Sequence, residues 1–320
     1  MILARSGLSS GLGLVGGVTG VWARGLFVFR AVAALAVAAL MVACGEPVTT
    51  PEPIFVHAAG STTMGPLVRE LALAFTQQQT GITVEVTALG TQFGLETLRL
   101  GETDIAMASW LPPIVADSGA EVTDTGDAVP GPVDPDFWGK RLEPGWKSTA
   151  IARDGIALIV HPSNPVDGLG LLQLQDLFSG RAYEWRAIGR SETLGVVEIV
   201  SREYGSGTRR AFETLVMDGI EVTPRAVVVP SSEAVVEYVA SHRAAIGYVS
   251  MAFRSPEIKV LSIEGVLPTP QSANSGSYPL SRNLWLLTPN PPSQSAADLV
   301  RFALSPVGQQ IVGKQYGRIK

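Results

Sequence analysis

Residues 54–94 read IFVHAAGSTTMGPLVRELALAFTQQQTGITVEVTALGTQFG. The stretch opens with a short apolar run, continues with apolar residues at the three- and four-residue spacing of a helix, and then alternates apolar with polar residues. Pro66 lies near the start of the helical part, where a residue without an N–H group is tolerated. A strand, a helix and a second strand in this order predict a βαβ unit with parallel strands.

The same order of elements continues toward the C-terminus and predicts an α/β protein. Further strands are predicted at 104–108, 156–160, 196–200, 226–229, 246–250, 260–263 and 284–287, and further helices at 171–178, 232–241 and 295–304. Residues 115–147 break the pattern with seven acidic residues among Pro and Gly, which is typical of a solvated surface loop. A chain of 320 residues favours two domains over one.

An apolar run, AVAALAVAALMVA at 31–43, follows Arg30 and ends at Cys44. A membrane span needs about 20 apolar residues, so this shorter run predicts a signal peptide at 1–43. The segment MVAC at 41–44 resembles a bacterial lipobox, although leucine is usual where Met41 stands, and predicts lipidation of Cys44. An ordinary signal peptide with an incidental cysteine is the alternative. Residues 44–52 then form a tether, and the protein is expected in the periplasm or at the cell surface, touching the membrane through the lipid only.

Composition excludes several classes of function. The formal charge is -5, and after residues 1–43 the chain has 21 basic and 29 acidic residues, so a nucleic-acid partner is not expected. Cys44 is the only cysteine, which excludes an intramolecular disulfide. The three histidines, His57, His161 and His242, lack the spacing of metal ligands, so no metal or other cofactor is expected.

Three turns combine glycine with small hydroxyl residues, and each precedes a predicted helix. They are GSTT at 60–63, GTQFG at 90–94 and GSGT at 205–208. The unpaired N–H groups and partial positive charge of a helix start suit an anion, although Ser and Thr also cap helices for purely structural reasons. Three such turns together with Arg202 favour a shared oxyanion pocket, because a guanidinium group can bind two oxygens of a tetrahedral anion.

Several ordered segments resemble the periplasmic phosphate-binding proteins of phosphate ABC transporters. They are GSTTMGPL at 60–67, ALGTQFGLETLRLGETDIAMAS at 88–109, DGIALIVHPSNPV at 154–166, LQDLFSG at 174–180, SREYGSGTRRAFE at 201–213 and AIGYVS at 245–250. The resemblance implies an α/β, two-lobed fold with mixed, mostly parallel sheets and a ligand cleft between the lobes. We expect a discontinuous lobe I at 53–152 and 252–320, and lobe II at 153–251.

The resemblance also implies a ligand set and partners. The ligand donors fall on eight positions: Thr62, Thr63, Thr91, Ser109, Arg202, Ser206, Gly207 and Thr208. The implied ligand is inorganic phosphate or a similar oxyanion, the implied partner is an ABC-transporter permease, and the protein is expected to be a monomer without catalytic residues.

Two positions depart from the pattern of that family. Trp110 stands where well-studied phosphate binders have an aspartate that accepts the proton of hydrogen phosphate and repels sulfate. Tyr204 stands where the binding arginine usually has an acidic partner, although Glu203 is adjacent. Asp154 is a candidate for the missing proton acceptor, and a local cap or a salt bridge with Arg153 is the alternative.

Other functions remain open on the same fold. A site made of neutral donors and arginine would also suit sulfate, molybdate or tungstate, or an anion sensor without a transporter. A phosphoester hydrolase is least favoured, because no histidine base is evident for Ser206 and Gly-Ser-Gly-Thr is not the pentapeptide of a nucleophile elbow.

Overall fold

The computed structural model describes residues 53–111, 114–115, 121–122, 145–189 and 194–319. Residues 52–320 form one compact unit. The predicted signal peptide at 1–43, the predicted tether at 44–52 with Cys44, and most of the acidic stretch 115–147 lie outside the described residues. Among the helices that the structure describes, none is long and apolar enough to cross a membrane.

The described chain contains eight α-helices and fourteen strands. The α-helices are α1 Gly65–Thr76, α2 Thr91–Arg99, α3 Leu171–Ser179, α4 Gly207–Phe212, α5 Ser232–Ser241, α6 Pro270–Ser275, α7 Gln294–Leu304 and α8 Pro306–Val312. The strands are β1 Ile54–Gly60, β2 Ile82–Ala88, β3 Ile105–Ala108, β4 Ile114–Val115, β5 Glu121–Val122, β6 Lys147–Val160, β7 Gly168–Leu169, β8 Glu198–Arg202, β9 Val227–Val229, β10 Ala245–Ser250, β11 Lys259–Val260, β12 Ser262–Ile263, β13 Ser281–Thr288 and β14 Gly317–Arg318. A 3-10 turn at Trp185–Ile188 and a π-helical turn at Glu213–Met217 complete the set.

The main sheet has two parallel flanks joined by antiparallel strands. Its order is β2-β1-β3-β13-β6-β10-β8-β9, with β11 and β14 also paired to β6. On one flank β1 runs parallel to β2 and β3, and on the other β8 runs parallel to β9 and β10. Between them β13 and β10 run antiparallel to β6. The carboxyl ends of β1, β3 and β8 are therefore free to carry a ligand site.

Strand β6 connects the two flanks. Its first part pairs with β13, ending at Gly155 opposite Ser281, and its second part pairs with β10, starting at Ile156 opposite Ser250. The sequence predicted a strand only from 156, because the preceding residues mix polar and apolar side chains. The change of partner at 154–156 marks the place where the chain passes from one flank to the other.

Apolar side chains bury both flanks. One cluster joins helix α1 to strand β1 and helix α7, with Phe75 and Phe302 in ring contact at 5.6 Å. The second contains Phe178, Phe212 and Tyr248, whose ring centroids lie 4.4–5.8 Å apart. These clusters support rigid strand ends beside the predicted anion site.

The observed elements agree with the α/β prediction, and helix α5 has the predicted bounds. The division into two lobes at 153 and 251 stays a prediction. Strands β11 and β12 follow residue 251 and so fall in the predicted lobe I. Nevertheless β11 pairs with the second part of β6 and β12 pairs with β7, and both of these partners fall in the predicted lobe II.

Candidate functional site

The eight predicted donor positions come together at the carboxyl ends of four strands, β1, β2, β3 and β8. Thr62 and Thr63 follow β1, Ser109 follows β3, and Arg202 ends β8, while Thr91 opens α2. Ser206, Gly207 and Thr208 form the start of α4, with Ser206 as its N-cap. All of these positions are buried. The structure thus brings the whole predicted set into one water-excluded region.

Arg202 lies at the centre of the first half of this region. Its side chain is 1% exposed, and its Nη2 donates to Thr62 Oγ1 at 3.2 Å and its Nη1 to Ser232 Oγ at 3.1 Å. Glu203 accepts from both Nε and Nη2 at 2.8 Å. Glu203 therefore takes the role of the acidic partner that Tyr204 does not supply. Tyr204 itself is 51% exposed, with the Arg209 guanidinium 5.6 Å from its ring centroid.

The other half is organised by Arg282, which the sequence did not predict. Its Nη2 donates to Thr208 Oγ1 at 3.1 Å and, more weakly, to Thr63 Oγ1 at 3.5 Å. The hydroxyls of Thr63 and Thr208 are hydrogen-bonded to each other at 2.9 Å. Asp154 Oδ2 accepts from Nε and Nη2 of Arg282 at 3.1 and 2.9 Å. The region consequently contains two guanidinium groups and two carboxylates.

The remaining donors touch across the same space. Ser109 N–H donates to Thr91 Oγ1 at 3.2 Å, and the two side-chain oxygens lie 3.4 Å apart. Gly207 faces them so closely that a Cβ atom at this position would lie 2.4 Å from Thr91 Oγ1 and 2.7 Å from Ser109 Oγ. A glycine is therefore required here by close approach, and not by its backbone conformation.

Asp154 is fully buried at the change of partner in β6. Ser250 donates to its Oδ1 at 2.7 Å, in addition to the two bonds from Arg282. Burial raises the pKa of the Asp154 carboxyl, and the Arg282 charge and the hydrogen bonds offset this only in part. Burial likewise lowers the pKa of the Arg282 guanidinium, against the opposing charge of Asp154. Arg153 is not its partner, because Arg153 Nε donates to Ala273 O at 3.0 Å.

Trp110 replaces the family aspartate with an aromatic wall. The ring is partly buried, packs against the second apolar cluster, and has the Arg210 guanidinium 5.6 Å from its centroid. An indole cannot accept the proton of an anion. The only carboxylates hydrogen-bonded to the two buried arginines, among the described residues, are those of Glu203 and Asp154.

Three further contributors were missed for identifiable reasons. Arg282 lies in a strand that the apolar pattern predicted to begin at 284, so the prediction left it outside the sheet. Ser232 looked like an ordinary helix start, and Ser250 like a strand end. A buried arginine in an apolar strand was the available signal, and it becomes visible only when β13 is recognised from Ser281 onward.

An open groove lies away from these residues. Its volume is about 640 Å³, and His161, Glu237 and Arg254 are among the residues that line it. It contains none of the predicted donors. Among the described residues, no cluster of His, Cys, Asp and Glu could hold a metal ion.

Comparisons with known proteins identify relatives of this chain. A family model described as a PBP superfamily domain matches residues 47–307. The phosphate-binding protein PstS of Borreliella burgdorferi is 24% identical over 272 residues, covering 81% of this chain and 88% of the relative. PstS of Staphylococcus saprophyticus is 26% identical over 262 residues, covering 78% and 76%.

Solved structures show the same fold. A protein of Clostridium perfringens, described as a phosphate ABC transporter substrate-binding protein with bound phosphate, superposes with a TM-score of 0.72 at 29% identity and covers 83% of this chain and 100% of its own. An ABC-type phosphate transport receptor of Vibrio cholerae gives 0.62 at 25%, covering 83% and 99%.

Proposed function

We propose that this chain, which belongs to the PBP (periplasmic-binding-protein) superfamily, captures phosphate for uptake through an ABC transporter. One observation carries the proposal: hydroxyl groups from four turns converge with buried Arg202 in a single region. The names of the relatives support phosphate as the ligand.

The site suits a small tetrahedral anion for electrostatic reasons. Guanidinium groups are donors only, and the hydroxyls that accept from them are left with their own protons to offer. Donors held in place by packing stabilise an anion without further reorganisation, and their burial strengthens each bond. Because Thr62 follows β1 while Arg202 ends β8, an anion that touches both would favour the closed arrangement of the two flanks.

Proton acceptance from hydrogen phosphate is part of the proposal for Asp154. Ser250 and Arg282 donate three hydrogen bonds to its oxygens and the Gly155 backbone donates a further one, so Asp154 can accept the proton of a ligand only if one of these bonds gives way. Trp110 gives a specific reason to keep a second candidate, a binding protein for sulfate, molybdate or tungstate. A proton-accepting carboxylate favours phosphate over fully ionised sulfate, whereas a site of donors alone does not.

Calorimetric titration of the compact unit, residues 52–320, with phosphate, sulfate and molybdate tests both candidates. We expect phosphate binding that persists in excess sulfate, and a shift of the preference toward sulfate in Asp154→Asn. Strong competition by sulfate in the unmodified protein would favour the second candidate. No heat with any of the three anions would reject anion capture, and turnover of a generic phosphoester would contradict a purely binding role.

We further propose that the chain is exported and anchored outside the cytoplasmic membrane through lipidated Cys44, as a monomer that delivers its ligand to the permease. The apolar run before the single cysteine supports this part of the proposal. Membrane fractionation of cells that express the full chain provides the test.

A further inference from the structure

Two arginines, and not the single one predicted, hold hydroxyls in this site, and they do so in the same way. Arg202 donates to Thr62 and to Ser232, which opens α5. Arg282 donates to Thr63 and to Thr208 in α4. Thr62 and Thr63 are adjacent in the chain, so each guanidinium joins one residue of this turn to one residue beyond β8.

The chemistry of these contacts fixes the direction of the hydrogen bonds. A guanidinium has five N–H donors and no acceptor, so a hydroxyl bonded to it must accept. Thr63 and Thr208 also bond each other at 2.9 Å, and one of the two must donate to the other. The second hydroxyl then keeps its proton free. Arg282 therefore turns this pair into a donor toward a bound anion.

The fold holds Arg282 firmly in this place. It lies opposite Asp154 in the antiparallel register of β13 and β6, and two of its nitrogens donate to the same carboxylate oxygen. Ser250 fixes the other oxygen of Asp154. Nη1 points to Gly207 O at a long 3.5 Å. Each neighbour is buried, and the ion pair brings no net charge into the interior.

We propose that Arg282 is a positioning residue of the anion site, which orients the hydroxyls of Thr63 and Thr208 as donors while Asp154 holds its guanidinium. The inference rests on the proposed function and names a residue that the sequence patterns did not indicate. Arg282 acts through Thr208, whereas Arg202 offers its own charge to the ligand.

A double-mutant cycle on phosphate affinity, measured by calorimetry, tests this role. We expect R282Q to weaken binding on the order of 10- to 100-fold and T208V about 10-fold, as for hydrogen bonds that involve charged groups. The double variant R282Q/T208V should bind about as weakly as R282Q alone, because the two changes remove one donor. Thr91 does not contact Arg282, so the effects of R282Q and T91V should multiply.

Folding is checked by thermal unfolding of every variant. Should R282Q fail to fold, because it leaves the Asp154 carboxylate unpaired, the neutral pair D154N/R282Q replaces it in the same cycle. The exposed Arg225→Gln serves as the control for loss of one positive charge and should bind like the unmodified protein.

Each outcome is decisive. Multiplying effects of R282Q and T208V would overturn the positioning role while leaving phosphate capture intact. If R282Q and T91V were non-additive to the same extent as R282Q and T208V, the positioning role would also be overturned, since that pattern indicates a general loss of the closed arrangement. Failure of the unmodified protein to bind phosphate, sulfate or molybdate would reject the proposed function itself.

Discussion

The Gly207→Ala substitution adds one methyl group, which should weaken ligand binding without lowering the stability of the fold. The residue opens α4, has an ordinary backbone conformation, and faces Thr91 and Ser109 across the site. The new Cβ would stand 2.4 Å from Thr91 Oγ1 and 2.7 Å from Ser109 Oγ, where contacts of at least 3.4 Å are normal. The two sides must therefore move apart by roughly 1 Å, or the hydroxyls must turn away from the ligand.

The expected cost falls on binding and not on stability. Overpacking by one methyl group typically costs about 1–3 kcal/mol, which corresponds to a loss of affinity between about 5- and 150-fold. An open arrangement relieves the clash, and alanine at a helix start is less costly to order than glycine. Thermal unfolding without ligand should accordingly stay within a few degrees of the unmodified protein, or rise.

Calorimetric titration with phosphate provides the assay, together with the shift in unfolding temperature at saturating phosphate. Gly205→Ala is a matched control in the same turn, because its Cβ would meet only the flexible side chain of Gln92 at 3.3 Å. If Gly207→Ala bound phosphate as tightly as Gly205→Ala, that result would refute the close approach of Gly207 to Thr91.

Three further outcomes are expected. Arg202→Ala should lose about 2–4 kcal/mol of phosphate affinity, because a buried charge is removed from its partners, whereas unchanged affinity by calorimetry would reject its assigned role. Cys44→Ser should move the full chain from the membrane fraction to the soluble fraction and remove the mass of the lipid; retention in the membrane fraction would contradict anchoring through this residue. Burial raises the pKa of Asp154 in the folded protein above its ordinary value of 3.8, so the folded state binds this proton more tightly than the unfolded state. The contribution of Asp154 to the free energy of unfolding therefore falls as the pH rises from 3.8 toward the raised pKa. Unfolding temperatures of Asp154→Asn measured across this range should lack that fall, and an identical pH profile in both proteins would contradict it.

The sequence predicted positions that the structure brings together, because most of them lie in turns whose glycine and hydroxyl residues are visible locally. Thr62, Thr91 and Ser206 all follow this pattern. Arg282 was missed, since its meaning depends on a pairing with Asp154 across 128 residues, and no local pattern records such a pairing.

Strand β6 shows a similar limit for the fold. Its second part, at 156–160, is uniformly apolar and was predicted, whereas its first part mixes polar and apolar residues because it borders β13, β14 and the site. That first part forms the antiparallel centre of the sheet with β13, and βαβ units, whose strands are parallel, could not predict it. The replacement of a family acid by Trp110 and the position of Glu203 beside Arg202 were visible in the sequence, but the pairing of Asp154 with Arg282 became evident only from the structure.

A crystal structure of residues 52–320 with phosphate tests the central claim most directly. Phosphate should lie within hydrogen-bonding distance of Thr62 and Thr91 on one side and of Arg202 and Ser206 on the other, with Arg282 bonded to Thr208. Phosphate bound at another place, or held by residues of one flank only, would contradict the account.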